Sequence, residues 1–252
     1  MVSVLGAVES AGGRLNPGFA DLVPLLGMPV RTILERGPKG KKVVVFAVDW
    51  PGWNRGAKTP EVALDTLESY RHRYRPIAVA AALAKEFDSA GPLDIIEDRI
   101  GSGMTDFYGI SFSTSGFEHE PMDKKEFERK IRLLEACWAY FDDVAGRVSA
   151  EMQKGPRGGG RDRDRIVRHT IRTESEEFAK KVGLQIPEEG ALTPEGLRTH
   201  RESYVAAMRD YNDEGKPMRN WTLPFLIRHS AYHVLDHAWE MEDKDLTAEA
   251  GT

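Results

Sequence analysis

The stretch Lys124-Lys-Glu-Phe-Glu-Arg-Lys-Ile-Arg-Leu-Leu-Glu-Ala-Cys-Trp-Ala-Tyr-Phe-Asp-Asp-Val-Ala-Gly-Arg-Val148 decides the fold. Its apolar positions Phe127, Ile131, Leu134, Trp138, Phe141, Ala145 and Val148 are separated by steps that alternate four and three. At about 3.6 residues per turn, that alternation keeps one apolar stripe on one side of a helix. A strand would need alternation at every second residue. A long helix with a single stripe is suited to antiparallel packing in a bundle.

Downstream the helical pattern continues. After the loop Lys154-Gly-Pro-Arg-Gly-Gly-Gly-Arg-Asp162, Asp162 or Asp164 can cap a second helix running through Ile166, His169, Thr173 and Phe178 to Gly183. Thr193-Pro-Glu opens a third, through Leu197, Tyr204, Met208 and Tyr211, and Thr222 caps a fourth that runs to about Asp243. Residues 119–252 are therefore expected to form a four-helix bundle.

Upstream the period changes. Lys42-Val-Val-Val-Phe-Ala-Val48 is a β-branched run between polar residues, the pattern of a buried strand, and Leu93–Ile100 predicts a second. Asp49-Trp-Pro-Gly-Trp53 is a turn that packs two indoles. Thr59 and Pro60 open a helix carrying Ala63, Leu67, Tyr70 and Tyr74, which Pro76 is expected to end. Gly101–Asp123 is rich in Gly, Ser, Thr and Pro with little periodicity, which puts a boundary near residue 118. The expected class is α+β: an irregular lead-in over 1–28, a small α/β module over 29–118, and the bundle.

The net charge of -5 gives no electrostatic attraction to nucleic acid or an anionic membrane. No apolar run approaches the length of a membrane span, and the N-terminus lacks the basic start of a secretory signal. The single cysteine, Cys137, excludes an internal disulfide, fits a cytoplasmic location and is expected in the core beside Trp138. No Gly-x-Ser-x-Gly or P-loop sequence occurs.

Chemistry concentrates in the fourth helix. His229, His233 and His237 follow one another at four-residue steps, so adjacent pairs project from one side, one turn apart. Two such imidazoles can grip one metal ion, and a third from another helix leaves a coordination position open. Measured from Val234 at the centre of the apolar stripe, His237 falls about 60° away, His233 about 100° and His229 about 140°. His233 with His237 is the preferred pair, His229 is expected to be the most exposed of the three, and it remains the alternative to His237. On the second helix His169 follows Ile166 by one turn, which makes it a better third ligand than His200 on the third. Glu174, Asp236 and Glu240 are candidates to hold the ligands' second nitrogens. Arg157 and Arg161 flank three glycines just before a helix start, where a carboxylate or phosphate of a substrate can dock.

Two resemblances follow. A bundle with one histidine early in helix two and His233-Val-Leu-Asp-His237-Ala-Trp-Glu240 in helix four resembles the DinB-like metalloprotein superfamily, which includes mycothiol- and bacillithiol-dependent transferases and maleylpyruvate isomerase. That likeness covers about residues 124–243 and implies that His169, His233 and His237 bind a divalent metal. The superfamily's Arg-Gly-Gln after the second histidine is Ala238-Trp239-Glu240 here. The strand, the Trp-Pro-Gly-Trp turn and the Thr59 helix start, residues 43–74, resemble the HicB-type antitoxin core, a shorter match that carries no catalytic residue.

The sequence thus predicts a zinc, nickel or iron enzyme of the DinB-like class, a thiol-dependent S-transferase or hydrolase that uses a low-molecular-weight thiol and a small-molecule substrate. A homodimer is allowed, with no nucleic-acid or membrane partner. The alternative, from another class, is a non-enzymatic protein that binds a partner or senses metal through the HicB-like module.

Overall fold

The computed structural model describes residues 27–156 and 159–247. It is α+β: a four-stranded sheet comes first and helices follow. Strands β1 (Val30–Arg36), β2 (Val43–Ala47) and β3 (Asn54–Ala57) form an antiparallel meander, and β4 (Leu93–Ile100) lies parallel to β1 at the other edge, giving the order β3-β2-β1-β4. A parallel neighbour requires a crossover. Helices α1 (Pro60–Ser69), α2 (Arg71–Ala80) and α3 (Ala84–Asp88) supply it. Strand β2 is buried at every position, which accounts for its unbroken β-branched sequence.

Strand β1 is absent from the sequence-based expectation. Its buried Thr32 and Glu35 interrupt the apolar pattern. Glu35 is held inside by hydroxyls donated from Thr105 at 2.7 Å and from Ser111 and Ser113 at 2.9 Å.

The helix opened by Thr59 and Pro60 does not run to Pro76. It ends at Tyr70, and Pro76 lies inside α2. The bend at Tyr70 turns Tyr74 into the core, where its hydroxyl donates to the Pro51 carbonyl at 2.8 Å. Pro76, the sixth residue of α2, has no N–H to donate to the carbonyl four residues back, and the helix continues past it without that bond. Trp50 and Trp53 are both buried and pack on Phe87 at 4.8 and 5.4 Å between ring centres. The turn between them presses on a distant helix. Gly52 has φ +92°, and a Cβ there would stand 2.8 Å from Leu235 Cδ1 and 3.1 Å from the Ala231 carbonyl.

After a short helix α4 (Gly103–Tyr108) and a 3-10 turn (Gly116–His119), four main helical segments follow. They are α5 (Lys124–Arg147), α6 (Arg163–Thr173) extended by a π turn (Glu174–Phe178) and a 3-10 turn (Ala179–Val182), α8 (Pro194–Asp213) and α9 (Leu223–Asp243). A one-turn helix α7 (Glu188–Ala191) precedes α8. Asp123, Thr193 and Thr222 cap α5, α8 and α9 through their side chains. Asp162 holds the N-cap position of α6, but its carboxylate pairs with Lys154 instead.

Helix α9 is central. From Leu223 to Tyr232 every residue is buried, and only the strip His233, Asp236, His237, Glu240, Glu242 and Asp243 reaches solvent to any degree. One hydrophobic core joins the sheet to the helices, from Val45, Trp53 and Tyr74 to Leu134, Phe141, Leu235 and Trp239. Arg55 of β3 fastens the two parts together. Its guanidinium stands 3.7 Å from the Tyr70 ring centre and 4.3 Å from that of Trp239, and it donates to Asp236 at 2.9 Å. Among the described residues no helix is long and apolar enough to cross a membrane.

Candidate metal centre

The exposed strip of α9 meets α6 at three histidines. Ring centres of His169 and His233 are 5.4 Å apart, those of His169 and His237 5.1 Å, and those of His233 and His237 4.7 Å. One nitrogen from each lies within 4.8 Å of those of the other two. Bonds of about 2.0–2.1 Å in a tetrahedral site would set ligand nitrogens about 3.3 Å apart, so the three imidazoles are grouped at a spacing near that of one metal site. The four-residue spacing stacks His233 and His237, and the phase of α6 brings His169 opposite them.

The donor chemistry fits a divalent cation. His237 Nδ1 lies 2.8 Å from Glu240 Oε2, and Lys244 Nζ donates to Glu240 Oε1 at 2.5 Å. This chain fixes the imidazole with its proton on Nδ1 and leaves Nε2 free to ligate. The hydrogen bond to His237 is the chief cause holding the Glu240 carboxyl down, to about 2. His233 Nδ1 is buried without a hydrogen-bond partner among the described residues, a cost that a neutral ring bears unless something takes that nitrogen. Burial, then the charge of Arg161, pushes His169 down to about 4. Burial also drives His233 well below its ordinary value, aided by His237. Imidazoles that stay neutral at pH 7 are in the form that binds a metal.

The other expected residues divide. Glu240 lies beside His237 Nδ1. Glu174 does not serve the centre: its carboxylate accepts from Trp138 Nε1 at 2.5 Å and lies 3.1 Å from His200 Nε2. Five residues separate it from His169, about 140° around a helix. Asp236, one residue and about 100° from His237, faces the sheet and pairs with Arg55. His229 is the most buried of its series rather than the most exposed, at 3%. Phe112, Phe178, Trp221 and Phe225 enclose it with ring centres 4.9–5.4 Å away, apart from the His169, His233 and His237 group. His200 is fully enclosed in its pairing with Glu174. Arg161 is exposed, and its charge reaches both His169 and His233. Arg157 lies outside the described residues. Cys137 is buried, and burial pushes its thiol far up, so it is core and not a nucleophile.

Two features of the site escaped the sequence reading. Lys244 follows Glu240 by four residues, a spacing that signals an ion pair. The π turn was not legible. It shifts the phase after α6 so that Phe178 packs against His233 and His229, 5.4 and 5.3 Å between centres.

Compared with family models, curated proteins and solved structures, the chain finds no match.

Proposed function

We propose that this chain is a divalent-metal enzyme whose centre is His169, His233 and His237, built on a DinB-like four-helix bundle. The observation that carries the reading is the convergence of these three imidazoles, one of them oriented by a Glu240–Lys244 chain. When bound, a zinc, nickel or iron ion supplies Lewis acidity that lowers the pKa of a water or a thiol toward neutrality. Three protein ligands leave room for that group. Glu240 keeps the His237 ring in one tautomer and orientation, and Phe178 shields the inner side of His233 from solvent. Arg161, exposed at the rim, attracts the carboxylate of a thiol or substrate. The reaction class is thiol S-transfer or a related hydrolysis. The sheet, read as a HicB-like module, buttresses α9 through Arg55 and Gly52.

The test is turnover. Protein loaded in turn with zinc, nickel and iron is given monochlorobimane and a low-molecular-weight thiol: mycothiol, bacillithiol or cysteine. Thiol-conjugate formation above the uncatalysed rate, lost in His237→Ala, is expected. A fully metal-loaded protein that accelerates no conjugation and no hydrolysis of the conjugates would leave a metal centre without the transferase reading.

A further inference from the structure

On the side of α9 away from the histidines, a cleft of about 650 Å³ opens between the sheet, the 115–121 turn and α5. That is the size of small-molecule sites. Arg228 lies on its inner wall, five residues before His233 and so about 140° around the helix from it. Arg228 is 4% exposed. Its Nε donates to Glu118 Oε1 at 2.5 Å, and its Nη2 donates to Glu118 Oε2 at 3.2 Å, Ser111 Oγ at 3.3 Å and the Ser113 carbonyl at 3.4 Å. Nη1 is buried and has no partner among the described residues. The guanidinium carbon stands 3.9 Å from the Phe46 ring centre. A ring beneath a guanidinium meets its charge, but the N–H groups lie in the guanidinium plane and still need acceptors.

A second buried cation lines the same cleft. Lys130 is 7% exposed, and among the described residues its ammonium has only the Val48 carbonyl at 3.5 Å and Glu126 at 3.4 Å. Both lie at the limit of a hydrogen bond, and an ammonium has three donors. Glu118 is committed to Arg228 and Glu126 stands 3.4 Å from Lys130 Nζ, so what the inner wall lacks is well-placed acceptors for Arg228 Nη1 and Lys130 Nζ. At the mouth Arg31 and Arg129 are paired with Asp49 and Glu86, and Glu120, Lys125 and Glu126 are exposed.

We propose that this cleft binds a small zwitterion of the amino-acid class, its carboxylate inward on Arg228 Nη1 and Lys130 Nζ and its ammonium outward beside Glu120 and Glu126. A carboxylate supplies the acceptors the inner wall lacks. An amine at the mouth meets the carboxylates there. This site owes nothing to the metal reading, and loss of one would leave the other standing.

Calorimetric titration of the full chain with the standard L-amino acids, one at a time, tests it. At least one is expected to bind with Kd below about 1 mM, and its amine lacking the carboxylate and its acid lacking the amino group each bind at least tenfold more weakly. Lys130→Met keeps the side-chain length without the charge. It should weaken the best ligand at least tenfold while circular dichroism and metal content stay as in the wild type. Exposed Glu120→Gln is the second variant: it should weaken the amino acid and leave the deaminated acid unaffected. Binding should persist in His233→Ala. The proposal is overturned if no amino acid binds, if the deaminated acid binds as well as the amino acid, or if both variants bind like the wild type.

Discussion

Separation along a helix is an angle, and at the histidine centre that angle decides which acids serve it. Glu240, three residues beyond His237, is a neighbour on the same side and reaches its Nδ1; Asp236 and Glu174 are turned away and are taken by Arg55 and by Trp138 and His200. The grouping of His169, His233 and His237 was legible because four-residue spacing and helix phase need no tertiary knowledge. His229 was misjudged for the converse reason. Its cover comes from Phe112, Phe178 and Trp221, which the sequence of α9 does not mention. Two predictions belong at this scale. Glu240→Gln should lower metal affinity about 10–100-fold with the fold intact, as read by competition with a chromogenic chelator. An unchanged affinity would show that Glu240 does not tune His237. The second is a pH dependence. Burial pushes His229 down to about 3, below the about 6.5 of an unfolded histidine. Below pH 6.5 the unfolded chain takes up a proton that the folded chain refuses, so this residue lowers stability as pH falls from about 6.5 toward 3. The loss is about 2 kcal/mol at pH 5. His229→Phe should flatten denaturant-measured stability between pH 7 and 5 by about that amount, whereas parallel profiles for the two proteins would contradict the assignment.

At the scale of elements, the strongly periodic segments were legible and the irregular ones were not. The 4-3 stripe of α5, the Thr-capped starts of α1, α8 and α9 and the apolar run of β2 emerged from pattern alone. The bend at Tyr70, the π turn and β1 did not, because each is set by what packs on it: Tyr74 on the Pro51 carbonyl, Phe178 on His233, and three hydroxyls on Glu35. The Trp-Pro-Gly-Trp turn was read as a turn that packs indoles, but its seat on α9 was beyond the sequence. Gly52 has a left-handed φ and no room for a Cβ. Gly52→Ala should therefore destabilise the protein by about 2–4 kcal/mol, from backbone strain plus overpacking against Ala231 and Leu235. Urea titration checks this, and a loss under about 0.5 kcal/mol, the size of an ordinary surface change, would mean that the turn yields freely.

For the whole molecule, the sheet and the helices share one core, and α9 is its spine: one side carries the histidines, another takes the Trp-Pro-Gly-Trp turn, and Arg228 lies on a third. Such a core should melt as one unit, with far-ultraviolet circular dichroism and tryptophan fluorescence tracing the same transition. Two separated transitions would mean that the contacts through Gly52 and Arg55 are weak. The proposal that three imidazoles on two helices hold one ion is tested by metal analysis of protein made without a histidine tag, wild type beside His233→Ala. About one equivalent of zinc, nickel or iron per wild-type chain is expected, and near none in a variant that keeps the wild-type circular dichroism. A wild-type protein that takes up no stoichiometric metal when offered each ion, or a His233→Ala protein that retains it in full, would overturn the metal centre.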